Sequence, residues 1–224
     1  LHFATRVLDV WKDFNIVMLV GNHDAYYKDK SDVNSLSILD GWNNIVVLSE
    51  LTTTDLFGRT STFCPWGVKA RDIPESDIIF GHFEIKSFKQ NMHKTCASGM
   101  SAGDLLDKTN LVISGHFHLR DERVYENGNI LYLGNPFEMD FGDMDNKKGY
   151  YTLDFNNLKY EFTENKISPK HKKIFLSDLA KAGKLTADIK KQFTNNFIRF
   201  VVDRNITADE IDIVLKKFMS LHPT

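Results

Sequence analysis

Three short apolar segments of this chain each run into a glycine, and a histidine follows within two residues. The segments are 16–20, 77–80 and 111–114, with glycine as the next residue in each case. Apolar runs of about four to eight residues are typical of strands buried on both faces of a parallel sheet. Because the carboxyl ends of parallel strands line one edge of a sheet, the histidines should converge there. The pattern predicts an α/β (α+β) fold with a polar cluster at one sheet edge.

The rest of the pattern mixes helix with strand. Residues 32–39 have helical apolar spacing, with Ser31 or Asp32 as the cap. Asn127 and Gly128 both accept positive φ, so they predict a hairpin turn. Further strand-like segments lie at 44–48, 52–57, 60–66, 122–126, 129–133, 149–155 and 158–163.

Charge is distributed unevenly along the chain. The net charge is −2, yet residues 156–224 carry five more basic than acidic side chains. We expect a body at 1–164 and a small basic α/β domain at 165–224, joined near Pro169. A basic region suits a polyanion, although a lysine-rich solvated face is equally compatible. Its predicted elements are strands at 172–176 and 197–202 and helices at 185–193 and 208–221.

Composition excludes several other classes of protein. Of the 224 residues 42% are hydrophobic and 26% charged, which excludes collagen-like and largely disordered chains. No apolar run reaches the roughly 20 residues of a spanning helix, and no signal peptide is evident. The two cysteines, Cys64 and Cys96, lack a Cys-x-x-Cys spacing. We therefore expect a soluble protein of a reducing compartment, with both cysteines buried or in loops.

The strand-end residues are candidate metal ligands. Neutral imidazole is a common ligand of divalent metals, and an amide oxygen can join it. A single histidine of this kind is more often a hydrogen-bonded core or turn residue. Four in one recurring context favour a site, which comprises Asn22, His23, His82, His116 and His118.

These motifs resemble those of a known family. Gly-Asn-His-Asp at 21–24, Gly-His-Phe-Glu at 81–84 and Gly-His-Phe-His at 115–118 are similar to the third, fourth and fifth motifs of calcineurin-like metallophosphoesterases. Together with Tyr-Leu-Gly-Asn-Pro at 132–136, they most resemble the SbcD-type nuclease subunit of recombination and repair complexes, particularly its phage versions. The resemblance implies a sandwich of two mixed sheets flanked by helices, followed by a small basic cap domain.

The resemblance also implies roles for the site residues. Asn22, His82 and His116 correspond to ligands of one metal ion, and His118 to a ligand of a second. His23 corresponds to the histidine that assists catalysis without binding metal. The family's usual ion is Mn²⁺, and Mg²⁺ is compatible with the same oxygen and nitrogen ligands.

Two family motifs are missing upstream of position 21. The family has an Asp-x-His and a Gly-Asp-x-x-Asp there, and these supply the remaining ligands. Leu1 lies inside a helical apolar pattern over 1–14. We therefore expect an N-terminally incomplete chain lacking on the order of 60 residues, or two strands with their connections. Catalytic activity is expected of the complete protein, and the chain alone should be inactive.

The implied function is that of a DNA exonuclease and endonuclease subunit. The family works as a homodimer with an SbcC-type coiled-coil ATPase, away from membranes, in prokaryotic or phage-infected cytoplasm. One alternative is a phosphoesterase for small phosphodiesters or phosphoproteins, and another is a non-catalytic DNA-binding subunit. Weaker candidates for phosphate contacts, which ordinary solvation would equally explain, are Lys94, Arg120, Lys148, Lys170, Lys172 and Lys173.

Overall fold

Strands dominate the regular structure of this chain. The computed structural model describes residues 6, 8–92, 94–178 and 193–219. Within these residues, the helices with assigned bounds are α1 Ala102–Leu106, α2 Ala208–Met219 and the 3-10 turns Ser35–Leu39 and Ala70–Asp72. The strands are β1 Ile16–Leu19, β2 Ala25–Tyr27, β3 Lys30–Asn34, β4 Ile45–Leu48, β5 Thr52–Leu56, β6 Arg59–Cys64, β7 Ile78–Gly81, β8 Leu111–Ser114, β9 Asp121–Tyr125, β10 Gly128–Tyr132, β11 Gly149–Asp154, β12 Lys159–Glu164, β13 His171–Phe175 and β14 Phe197–Val201.

The chain divides into two compact units. The first consists of Leu1–Gly134 with Tyr151–Thr163, and the second of Asn135–Tyr150 with Glu164–Thr224. The domain boundary between 164 and 165 stays a prediction. No helix in the described part of the chain is long and apolar enough to cross a membrane.

A six-stranded mixed sheet forms the centre of the first unit. Its order is β5-β6-β7-β8-β10-β9, with β6, β7, β8 and β10 parallel and both edge strands antiparallel to their neighbours. Gly81 pairs with Ser114, so the second and third glycine-histidine tips leave the same sheet edge side by side. The predicted mixed α/β class is confirmed.

Both faces of this sheet are covered. On one face Ile79, Val112 and Ile130 pack with Leu105 of α1, in a cluster that includes the two free cysteines. The other face packs against apolar residues of the β11–β12 pair. Each fully buried aliphatic side chain stabilises the fold by about 1.5–3 kcal/mol. Apolar residues that point to either face of the sheet therefore both contribute to stability. The expected burial of the cysteines is confirmed.

The first strand differs from the prediction. β1 pairs in parallel with β4 in a separate two-stranded sheet, and Val17 is 48% exposed. Its neighbours Ile16 and Met18 pack with the cluster around Leu39, so only alternate residues face apolar partners. The expectation that 16–20 is buried on both faces is therefore wrong for most of the segment, although Val20 itself is buried.

The predicted helix at 32–39 is wrong in its first half. β2 and β3 form an antiparallel pair there, and a 3-10 turn follows from Ser35 to Leu39. The cap is Asn34, whose side-chain oxygen accepts from the Leu36 amide. Asn34 has an extended backbone, and its short polar side chain caps the turn from there. The turn therefore begins later than the apolar spacing predicted.

The hairpin prediction is confirmed, but its turn lies one residue earlier. Gly128 pairs with Tyr125 and belongs to β10, so Glu126 and Asn127 form the loop. A Cβ on Gly128 would lie 2.3 Å from the Asn110 carbonyl oxygen. Glycine is required at this position for close backbone approach as well as for its positive φ.

The second unit contains a parallel pair, β13 and β14, in which Lys173 lies opposite Arg199. These strands match the predictions at 172–176 and 197–202 to within a residue. Helix α2 matches the prediction at 208–221, whose last two residues lie outside the described part. Of the helix predicted at 185–193, residues 185–192 lie outside the described residues. Residues 1–5 and 7 of the helical pattern over 1–14 lie outside them as well.

Candidate functional site

The three tips meet at one polar cluster. Asn22 Oδ1 lies 2.8 Å from His82 Nε2 and 3.1 Å from His116 Nδ1. Val20, at the end of the first segment, accepts a hydrogen bond from the Trp66 amide, which follows β6. That bond holds the end of β1 beside the edge where β6, β7 and β8 end. The strand ends therefore converge as predicted, and these three side chains lie together.

Two of the strand-end glycines, Gly21 and Gly115, make room for the His82 imidazole. A Cβ on Gly21 would lie 2.8 Å from His82 Cε1, and one on Gly115 would lie 3.3 Å from His82 Nδ1. The structure therefore gives a steric reason for glycine at both positions. The left-handed backbone instead belongs to His116, whose φ is 88°. Such strain costs about 1–3 kcal/mol and is concentrated at functional sites.

Partial burial favours the neutral form of the two central imidazoles. It lowers the pKa of His82 to about 4, with the nearby His116 and His23 adding to the shift. Burial also lowers the pKa of His116, although the Glu84 carboxylate opposes that shift. Neutral imidazoles keep a nitrogen lone pair, which is the form that binds metal.

His116 has an oxygen near each ring nitrogen. Nδ1 faces Asn22 Oδ1, while Nε2 lies 3.5 Å from Glu84 Oε1. A neutral ring donates from one nitrogen only, so both oxygens cannot accept from it. A cation beside Nδ1 would match the lone pairs of Nδ1 and Asn22 Oδ1 and leave the Nε2 proton to Glu84. Metal-binding histidines usually have such a carboxylate behind them.

Two separations between candidate donor atoms fit one divalent ion. Two ligands bound at about 2.1 Å and at right angles lie about 3 Å apart. Asn22 Oδ1 lies close to that distance from both His82 Nε2 and His116 Nδ1. Within the described ranges, however, no group of three or more histidine, cysteine or acidic side chains is placed to hold a metal. The described residues thus offer a partial shell for one ion and do not complete a two-ion centre.

His23 and His118 lie at the margin of the cluster. His23 is exposed, and its charge acts on the pKa values of both His82 and His116. His118 is half-buried and acts on the pKa of His116. An exposed imidazole beside half-buried ones can meet a substrate without being a ligand. This exposure is compatible with the role predicted for His23, which is to assist catalysis without binding metal.

Two residues of the cluster were not assigned by sequence reasoning. The Trp66 ring lies 5.1 Å from the His116 ring and 6.0 Å from the His82 ring. Glu84 belongs to the Gly-His-Phe-Glu motif, but no role was predicted for it. The signal for Trp66 was the strand-like segment 60–66, which also ends at this edge of the sheet.

The candidate phosphate contacts have different surroundings. Lys94 is exposed, and so is Arg120, whose guanidinium lies 4.1 Å from the centre of the Phe162 ring. Lys148 is buried, and its Nζ donates to Asp143 Oδ1 at 2.7 Å. The ion pair explains why Lys148 is buried. A lysine that contacts phosphate at the surface would instead face solvent.

The other three lysines lie together in the second unit. Lys170, Lys172 and Lys173 line a cavity of about 620 Å³ with His171. Lys170 and Lys173 are exposed and Lys172 is half-buried. Glu138, Asp145 and Glu164 line the same cavity. Its charge is therefore mixed, and the role of the three lysines in DNA binding stays a prediction.

One comparison with known proteins gives a relative. The chain is similar to Exonuclease subunit 1 of Enterobacteria phage T4, with 29% identity over 227 aligned residues. The alignment covers 95% of this chain and 63% of the relative, so the chain spans less than two thirds of that protein's length. No family model matches the chain. The similarity supports a relationship to nuclease subunits.

Proposed function

We propose that this chain is part of a metal-dependent nuclease that hydrolyses DNA phosphodiester bonds, both at ends and internally. The observation that carries the proposal is the cluster of Asn22, His82 and His116 at the ends of three strands. The similarity to a phage exonuclease subunit supports the same activity. The superfamily suggested by the motifs, the calcineurin-like metallophosphoesterases, is part of this proposal.

In this proposal the chain's own residues have three tasks. Asn22, His82 and His116 hold one divalent ion, most simply Mn²⁺, and His118 contributes to a second. Bound ions would stabilise charge on the phosphoryl oxygens and lower the pKa of the attacking water. His23 is exposed beside them and protonates the departing oxygen or stabilises negative charge on the phosphoryl group. Glu84 orients His116 through Nε2.

We further propose that the full-length protein works in an assembly. The name of the phage relative contains the word subunit, and the sequence motifs resemble subunits that bind an SbcC-type coiled-coil ATPase and form homodimers. The substrate would be DNA in the cytoplasm of a prokaryotic or phage-infected cell.

The test of this function is metal-dependent cleavage. The full-length protein is expected to degrade linear duplex DNA with Mn²⁺ and to lose that activity in excess EDTA, because the site offers ligands for hard or borderline cations. Gel analysis of end-labelled DNA measures the cleavage. Undiminished activity in EDTA would contradict the proposal. Cleavage of a cyclic nucleotide or a phosphoprotein but not of DNA would instead favour the small-substrate phosphoesterase.

The lysines of the second unit give a separate prediction about DNA affinity. Replacing Lys170, Lys172 and Lys173 together by glutamine should flatten the slope of log affinity against log salt by roughly 0.7–0.9 for each phosphate that is no longer neutralised. Fluorescence anisotropy on duplex ends, with metal withheld, measures the slope. The matched control replaces the same three residues by arginine and should retain the slope. An unchanged slope in the glutamine variant would exclude these lysines from DNA binding.

A further inference from the structure

A cavity of about 290 Å³ lies directly beside the histidine cluster. Its walls combine apolar side chains with two lysines and two carboxylates, Asp29 and Glu84, and one wall is His82 itself. It is near the lower end of the range for ligand pockets, about 300–1,000 Å³, so it suits a single ring system rather than a large ligand. The residues that matter here are Lys28, Trp66, Val68, Lys69, His82 and Met100.

The walls of this cavity are formed by close backbone packing. Gly67 has a φ of +93°, and a Cβ there would lie 2.7 Å from the Asp29 carbonyl oxygen. Gly99 has a φ of +92°, and a Cβ there would lie 2.2 Å from the Glu84 carbonyl oxygen. Trp66 Nε1 donates to the Lys28 carbonyl oxygen at 2.8 Å, which fixes the indole. Four separate segments, 28–29, 66–70, 82–84 and 99–100, therefore surround a preformed space.

We propose that this cavity, which we call the base pocket, receives one unpaired nucleobase of the strand being cleaved. The inference rests on the proposed function, because it places the phosphate next to that base at Asn22, His82 and His116. A base and its own phosphate are separated by one sugar, so their binding sites must adjoin. The base pocket and the cluster meet this condition because they share His82.

The chemistry of the base pocket suits this occupant. Trp66, Val68 and Met100 offer an aromatic and an apolar surface, on which any base can pack whatever its sequence. Lys28 and Lys69 are exposed at the same cavity, where they can meet the neighbouring phosphates of a polyanion. Asp29 and Glu84 also line the cavity, so the attraction depends on the two lysines and not on an overall positive charge. A base in a duplex would have to leave its stack to enter. The protein should therefore prefer single-stranded or frayed DNA.

The test is an abasic scan of a single-stranded oligonucleotide bound by the full-length protein. Binding is measured by anisotropy in EDTA, so that no cleavage occurs. Removing the base at one position is expected to weaken binding about 5- to 150-fold, because stacking on an aromatic side chain contributes that much per base. Bases two or more positions away should matter much less.

A filled base pocket gives the matched control. Val68→Trp should abolish the penalty at that one position, while Val68→Leu should retain it, with circular dichroism used to verify folding of both.

Three results would each overturn the base pocket: equal binding of every abasic oligonucleotide, absence of any binding, or an unchanged penalty in folded Val68→Trp. A penalty without any Mn²⁺-dependent cleavage would support the base pocket and contradict the nuclease. Cleavage without a penalty would do the reverse.

Discussion

Replacement of His23 by alanine in the full-length protein is expected to lower kcat for DNA cleavage by about 10²- to 10⁴-fold with little loss of bound metal. This range is typical for removal of a general acid or base. The proposed ligands nearby are Asn22, His82 and His116, which meet one another through Asn22 Oδ1 rather than through His23. Turnover is measured on end-labelled DNA, and metal content by elemental analysis of the same preparation.

The comparison variant is His82→Gln, which removes a proposed ligand. It should lose metal and activity together, because the His82 ring is packed against Asn22 and fills the space left by Gly21. If the His23→Ala variant behaves in the same way, with metal content falling in step with kcat, the two histidines have been assigned to each other's roles. A His23→Ala variant with full activity would contradict any role for that residue in catalysis.

Much of the site's location was predictable because it depends on topology. A short apolar strand must be paired on both sides if it is buried, and parallel neighbours bring their carboxyl ends together. That argument places His82 and His116 side by side, as β7 and β8 show. It needs only the lengths and endings of segments, which a single sequence provides.

Other parts of the site depend on contacts between distant segments. Trp66 reaches the histidines because its amide bonds to the Val20 carbonyl, a pairing that no local pattern encodes. The exposure of Val17 and the burial of Lys148 depend in the same way on which segments pack against them. In the sequence Lys148 looks like any other basic residue, whereas in the structure its position is decided by Asp143. The environment of individual side chains was thus the least predictable feature of the site.

The buried pair of Asp143 and Lys148 leads to a large expected effect on stability. Their side chains are 3% and 4% exposed, and Asp143 Oδ2 also accepts from the Met139 amide and from Asn135 Nδ2. Asp143→Asn retains an oxygen for those donors but removes the negative charge beside the lysine ammonium. A buried charge deprived of its partner costs about 3–5 kcal/mol in free energy of unfolding. Urea denaturation followed by circular dichroism measures the loss.

The double variant Asp143→Asn with Lys148→Met separates charge from shape. It buries no charge at this position, so it should be more stable than Asp143→Asn alone, because replacing a whole buried ion pair costs far less than breaking it. Together with the Lys148→Met single variant it completes a double-mutant cycle, which isolates the coupling between the two residues. An Asp143→Asn protein as stable as the wild type would mean that Lys148 can reach solvent. In that case Lys148 would again be available to a phosphate, and its salt-dependent contribution to DNA affinity would have to be measured.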